Sequence, residues 1–263
     1  MRRSDGGNPA QAEFRRIRRG RVPISTFLLF RRVQFKAMQT ARKSRNRFRS
    51  YALRHGLAAT LFHLLYRALN RAAVVMIFRV VALDNQGMKQ EPAAARGIWR
   101  FLSRDELDGF SSKDPALELT RDFIASAFAR GDKCYGFVQN GVLGAYAWYS
   151  TSPTPIQDSL VAHFDPDRVY MHKAVTAPAF RGQRLYGIGV ERALRTLVDE
   201  RTATGLISCV QLHNHPSQKA LKRIGFRTIG WTMVLGWRKP WIVFSSFGCM
   251  PVFRMLIQDG PAS

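Results

Sequence analysis

The chain has 263 residues, room for one domain of ordinary size with a real core and some extra segments. Its formal net charge of +23 is uneven: residues 1–54 hold 16 Lys/Arg against Asp5 and Glu13, a net +14. No strongly apolar run reaches the ~20 residues of a spanning helix; the candidate from Pro240 to Phe253 is 14 residues, broken by Gly248 and Pro251. Three widely spaced cysteines, Cys134, Cys209 and Cys249, exclude a disulfide framework and lack metal-ligand spacing.

Residues 1–54 read as a basic, disordered leader, of a kind that attracts nucleic acid or anionic lipid. Val22 to Phe30 is apolar but short, and Arg31-Arg32 follows without a small-residue cleavage site, so no signal peptide is expected and the chain reads as cytoplasmic. The next segment, 55–96, combines a helix and an extra strand. Leu57, Leu61, Leu64, Leu65, Ala68 and Leu69 recur at helical spacing, predicting a leucine face that packs on the neighbouring domain or lies on a membrane surface. Val74 to Leu83 is rich in β-branched residues and bounded by Asp84-Asn-Gln-Gly, which predicts a strand.

From Gly97 a longer pattern begins. Gly97 to Leu102 reads as a strand, and Ser103-Arg-Asp-Glu106 as a capping box opening a helix through Phe110. Asp114-Pro115 is expected to open a second helix that buries Leu117, Phe123, Ile124, Ala127 and Phe128 and stops at Gly131. Cys134 to Gln139 and Val142 to Ser150 flank Asn140-Gly141, a type I′ hairpin signal. Ser152 to Pro166 reads as a Pro-rich loop. An apolar strand, Val169 to Val175, then meets Thr176-Ala-Pro-Ala-Phe-Arg-Gly-Gln-Arg-Leu-Tyr186, a turn and Arg-Gly loop at the start of an amphipathic helix expected to stop at Gly205. Backbone N–H groups at such a helix start have no intrahelical partner, and the helix dipole adds positive charge, so the loop is an anion site. A second strand (Leu206 to Leu212), a helix opened by Asn214-His-Pro-Ser217, Gly225-Phe226 and a strand to Trp237 follow. The remainder, 240–263, reads as an apolar aromatic tail. Trp231, Trp237 and Trp241 are expected in a core or an interface.

The strand, Arg-Gly loop, helix and Asn-x-x-Ser start leading to Gly-Phe together resemble the Gcn5-related N-acetyltransferase (GNAT) superfamily over residues 97–239. The resemblance implies a mixed α/β fold: a mostly antiparallel sheet of six to seven strands flanked by helices. It also implies an acyltransferase that moves an acetyl group from acetyl-CoA to a primary amine of a small molecule or amino sugar, with no metal. Cofactor contacts would come from Val175, Thr176, Arg181, Gly182, Gln183, Arg184, Leu185, Tyr186, Asn214 and Ser217. Three positions depart from the family pattern. Arg184 replaces the usual second glycine and Tyr186 the final small residue. The helix position where many members place a tyrosine acid holds Leu221. Tyr170 and His172 project to one strand face, and His172 is a candidate base because an imidazole titrates near pH ~6.5. A half-exposed imidazole in a structural hydrogen bond is the plainer reading of one isolated histidine. His213 and His215 read as loop-capping residues. The alternative function is a non-catalytic module of the same fold, binding membrane or nucleic acid through its leader.

Overall fold

The computed structural model describes residues 56, 60–62, 64–66, 68, 73–87, 97–157, 159–200, 203–237 and 239–258. The basic leader lies outside them. The chain divides into two units, Met1–Leu61 and Phe62–Ser263. In the first, the N–H and hydroxyl of Thr60 both donate to the carbonyl of Gly56, at 3.2 and 2.8 Å, closing one helical turn.

The second unit is built on an eight-stranded sheet in the order β10-β9-β1-β8-β7-β4-β3-β2. Its strands are β1 (Val74–Asp84), β2 (Ile98–Leu102), β3 (Lys133–Gln139), β4 (Val142–Ser150), β7 (Arg168–Thr176), β8 (Gly205–Gln211), β9 (Arg227–Gly236) and β10 (Pro240–Ser245). Every neighbouring pair is antiparallel except β7 with β8. A second sheet, ordered β11-β6-β5, joins β5 (Thr154–Gln157), β6 (Leu160–Phe164) and β11 (Phe253–Ile257). Among the described residues from Val74 onward the α-helices are α1 (Arg104–Lys113), α2 (Arg121–Ala129), α3 (Leu185–Asp199) and α4 (His215–Ile224). None of the described helices is long and apolar enough to cross a membrane.

The strand before the motif region is central to the sheet. β1 pairs with β8 along Phe78–Asp84 and with β9 along Val74–Ala82, and Val80, Val81, Ala82 and Leu83 are all buried. A strand covered on both faces needs apolar residues in succession rather than in alternation, which is what the Val80-Val-Ala-Leu83 run supplies. Three cores follow. α3 and α4 pack on one face, against Val81, Leu83, Val169, Met171 and Leu206. The small sheet covers the other face around Val80, Ile207, Leu160 and Phe253. α1 and α2 enclose Leu107, Ile124 and Trp148 beside β3 and β4.

Local signals act as expected at several points. Ser103 and Glu106 form the capping box, and Asn140 and Gly141 take the two positive φ values, 51° and 74°, that a type I′ turn requires. Elsewhere tertiary packing overrides them. The helix expected from Asp114 is two pieces: a 3-10 turn at Pro115–Leu117, then Glu118 in the left-handed region, then α2 capped by Thr120. The left-handed Glu118 breaks the helical run, and the Thr120 side chain caps the new start by accepting the Phe123 N–H. The Pro-rich loop contains β5 and β6, with Pro155 on the edge strand where its missing N–H is tolerated. The tail contributes β10 and β11, and Phe253 and Met255 are buried. α3 stops at Asp199, so Gly205 opens β8 rather than ending the helix. In the helical segment before β1, Leu64 and Leu65 are exposed while Tyr66 is buried, its ring 4.6 Å from that of His213. Leu57 and Leu69 lie outside the described residues. Trp231, Trp237 and Trp241 are 47%, 58% and 63% exposed, so they do not lie in the core.

Candidate functional site

The site begins where two strands part. β7 and β8 pair only over Arg168–Tyr170 and Gly205–Ile207, and the Ser208 hydroxyl donates to the Met171 carbonyl at 2.8 Å, tying the fork at its apex. Beyond it β7 carries an extra residue. His172 faces Trp148 of β4 and Val175 faces Tyr146, so three steps on β7 match two on β4. Lys173 absorbs the difference with φ of +41°. A bulge of this kind bends its strand and interrupts pairing. The result is a cavity of about 1170 Å³ between the strands. Arg181, Tyr186 and Asn214 line it on the helix side, and Tyr170, His172 and Ile156 on the small-sheet side.

The Arg-Gly loop stands at one mouth. A 3-10 turn, Pro178–Phe180, leads to Gly182 at φ +87° and Arg184 at φ +58°, and α3 starts at Leu185 with no side chain capping it and no acidic residue in its first turn. The guanidinium of Arg181 donates through Nε to the Thr176 carbonyl at 3.3 Å, holding the loop to the end of β7. A Cβ built on Gly182 would meet nothing within 4 Å, so the space above the backbone is open. These residues fit an anionic group: the first N–H groups of α3, which no intrahelical carbonyl can reach, a helix start without a side-chain cap, and an adjacent arginine. Val175, Thr176, Arg181, Gly182 and Tyr186 line the cavity, as do Asn214 and Ser217, whereas Gln183, Arg184 and Leu185 do not. Gln183 and Arg184 are exposed; Leu185 is buried beside Phe137 and Ala145, so only its backbone is available to a ligand.

Asn214 caps α4. Its Oδ1 accepts from the Ser217 N–H at 3.3 Å, so the capping oxygen belongs to Asn214 and not to Ser217. Pro216 fills the first turn, and Leu221 is buried at the cavity wall.

Tyr170 and His172 share a face as the alternation predicts, their rings stacked with centroids 5.8 Å apart and 7° between planes. The Tyr170 hydroxyl lies 3.1 Å from the Cys209 sulfur, and burial raises its pKa well above the phenol range. Burial likewise pushes the Cys209 thiol up to about 11, against the partial offset of the Tyr170 hydrogen bond. Both groups stay protonated near neutrality. The His172 Nε2 stands 3.2 Å from Oδ2 of Asp132, a carboxylate whose side chain is fully buried and which the Arg130 guanidinium meets at 2.7 Å.

Asp132 is the residue that sequence reasoning missed. Its own mark is slight, a charge between the Gly131 helix stop and the first residue of a strand. Nothing in that local pattern points to a histidine 40 positions later. Lys173 was missed as well; its Nζ sits 4.7 Å over the Phe123 ring, at the cavity wall.

A family model for acetyltransferases, the acetyltransferase (GNAT) family, matches residues 97–226. Among solved structures the chain is similar to a GCN5-related N-acetyltransferase from Kribbella flavida, at 14% identity over 70% of this chain and 65% of that one, with a TM-score of 0.43. It is similar to an acetyltransferase of the GNAT family from Colwellia psychrerythraea, at 15% identity over 67% and 62%, with a TM-score of 0.43. It is also similar to an N-acetyltransferase from Staphylococcus aureus, at 12% identity over 62% and 99%, with a TM-score of 0.41. The chain thus spans just under two thirds of the first two. No curated protein matches.

Proposed function

We propose that this chain, which belongs to the acetyltransferase (GNAT) family over residues 97–226, moves an acetyl group from acetyl-CoA to a primary amine of a small molecule or amino sugar. The observation that carries the reading is the forked cavity, with an uncapped helix start on one side of the sheet and an imidazole on the other. A pyrophosphate suits the N–H donors of residues 182–186 and the Arg181 guanidinium. Val175, Thr176, Asn214 and Ser217 line the path between the two sides. The extended amide arm of a pantetheine pairs with backbone that a neighbouring strand has released.

Acetyl-CoA supplies the activated acetyl thioester. The chain's residues then have three tasks. Backbone N–H groups of β7 past the bulge, released from β8, polarise a carbonyl placed in the fork, because fixed donors there need no reorganisation as charge develops. His172 accepts the proton that an ammonium must lose before it can attack. The C–S bond would break as the C–N bond forms, and the thiolate would take its proton from Tyr170, which is protonated at neutrality, or from water, since Leu221 at the cavity wall has no hydroxyl.

Binding of acetyl-CoA tests the reading directly. At 100 times its dissociation constant it stabilises the folded chain by about 2.7 kcal/mol. Differential scanning fluorimetry is expected to show that rise for the wild type and none for Gly182→Val, whose side chain would enter the open space over the loop and strain a left-handed backbone. An equal rise in both proteins removes the pyrophosphate assignment, and no rise in the wild type removes acetyl-CoA.

A further inference from the structure

Asp132 occupies a place that helix termination alone does not explain. The end of α2 is a Schellman-type stop: the Gly131 N–H bonds to the Phe128 carbonyl and the Asp132 N–H to that of Ala127, each at 3.0 Å. The next residue, Lys133, starts β3. The backbone of Asp132 is therefore fixed by a helix on one side and a strand on the other, and its carboxylate is aimed inward where no solvent reaches it. Burying a carboxylate is expensive unless it is paired. A helix stop has no need of one, since a small polar or apolar residue would serve the same turn.

Its partners come from three elements. Oδ2 receives the Arg130 guanidinium at 2.7 Å and faces His172 Nε2 at 3.2 Å. The Ser150 hydroxyl of β4 lies beside it too. Burial pushes the Asp132 carboxyl up, but the His172, Ser150 and Arg130 interactions more than offset this and hold it below its ordinary range. The other groups around the imidazole are Tyr170, stacked on it, Trp148 and Phe123, with Lys173 Nζ over the Phe123 ring. Asp132 is thus the anion that meets the ring, and it meets only one of the two nitrogens.

We propose that Asp132 is a positioning residue for His172: its carboxylate, 3.2 Å from Nε2, favours the ring proton on that nitrogen and so the tautomer whose basic Nδ1 is left for the acceptor amine, while Arg130 shares the carboxylate. The physics is that of any neutral imidazole, in which the hydrogen bond made by one nitrogen decides which nitrogen carries the lone pair. A bare buried carboxylate would favour the charged ring and spoil it as a base near neutrality. The Arg130 guanidinium on the same oxygen opposes that. The proposal rests on the acetyltransferase reading only for the identity of the proton's source; the tautomer and its control exist without any ligand.

The test follows the imidazole itself. Long-range ¹H–¹⁵N spectra of the full chain, recorded from pH 5 to 9 without acetyl-CoA, report tautomer and titration midpoint, and His172→Gln assigns the resonances among six histidines. The wild type is expected to show the Nε2–H form. Asp132→Asn should mix the tautomers, whereas Arg130→Gln should keep the Nε2–H form, which a generally loosened fold would not do, and Asp132→Glu should restore it. An Nδ1–H tautomer in the wild type, or a tautomer that Asp132→Asn leaves unchanged, overturns the proposal. Either result leaves the acetyl-CoA melting experiment untouched, so the two readings fail separately.

Discussion

Asn214 shows how one side chain can hold a helix and border a ligand at once. Its Oδ1 accepts the Ser217 N–H at the start of α4, and the same residue lines the cavity beside β8. A capping side chain lost to alanine costs about 1 kcal/mol of stability. If Asn214 also contacts the pantetheine arm, Asn214→Ala should lower acetyl-CoA affinity by clearly more than that, at least 10-fold, or about 1.4 kcal/mol. Urea melts and titration calorimetry on the one variant separate the two effects. A stability loss matching or exceeding the affinity loss reduces Asn214 to a cap. Arg184 makes the complementary point. It takes a left-handed φ of +58° where the family pattern has glycine, so the loop keeps its conformation at the cost of backbone strain. The loop itself was legible from Arg181-Gly182. The carboxylate behind His172 was not, because contacts between residues 132 and 172 arise only once β3, β4 and β7 lie side by side.

The clearest lesson at the scale of elements is β1. It lies outside the family-matched residues 97–226, yet it fills the sheet between β8 and β9 and leaves neither with a bare edge there. The β-branched run made the strand readable, but not its place, since strand order is set by long-range pairing that local propensity does not encode. The same limit explains β5, β6, β10 and β11. They are short, β5 and β10 contain proline, and β6 finds its partner β11 far along the chain, as in the pairing of Phe253 with Phe164. Where an element is fixed within a few residues, as with the Ser103–Glu106 box and the Asn140-Gly141 turn, sequence sufficed. A strand that is structurally central must respond to truncation like core. Leu83→Ala is therefore expected to destabilise the second unit by ~2–5 kcal/mol, the usual range for a buried leucine that leaves a cavity. Chemical denaturation measures this. A loss below about 1 kcal/mol, the size expected at a surface site, would make β1 a peripheral strip instead.

At the scale of the whole molecule, charge and exposed aromatics coincide in one chain. The leader carries +14, and the turn from β9 to β10 reads Trp237-Arg238-Lys239-Pro240-Trp241, with both tryptophans more than half exposed. Phe244 along β10 and Phe247 beyond it, the latter 93% exposed, extend the apolar edge. Tryptophan beside basic residues is the composition of a protein surface that sits at lipid headgroups. We therefore expect the chain to dock on an anionic leaflet, with the aromatic edge entering the interface and the basic residues each adding about 1 kcal/mol near the surface. Nucleic acid would respond to the same charge, but it offers no reason for a tryptophan-bearing hairpin away from the leader. Co-sedimentation of the full chain with phosphatidylcholine vesicles, with and without phosphatidylglycerol, tests this. Binding should require the anionic lipid, weaken as salt shortens the Debye length from ~10 Å at 0.1 M, and fall sharply in a Trp237→Ser, Trp241→Ser, Phe247→Ser variant. A variant that binds like the wild type would leave the leader alone responsible for attraction to lipid. A wild type that stays in the supernatant but doubles its mass by light scattering, with the doubling lost in the variant, would assign the β10 edge to a second copy of the chain instead.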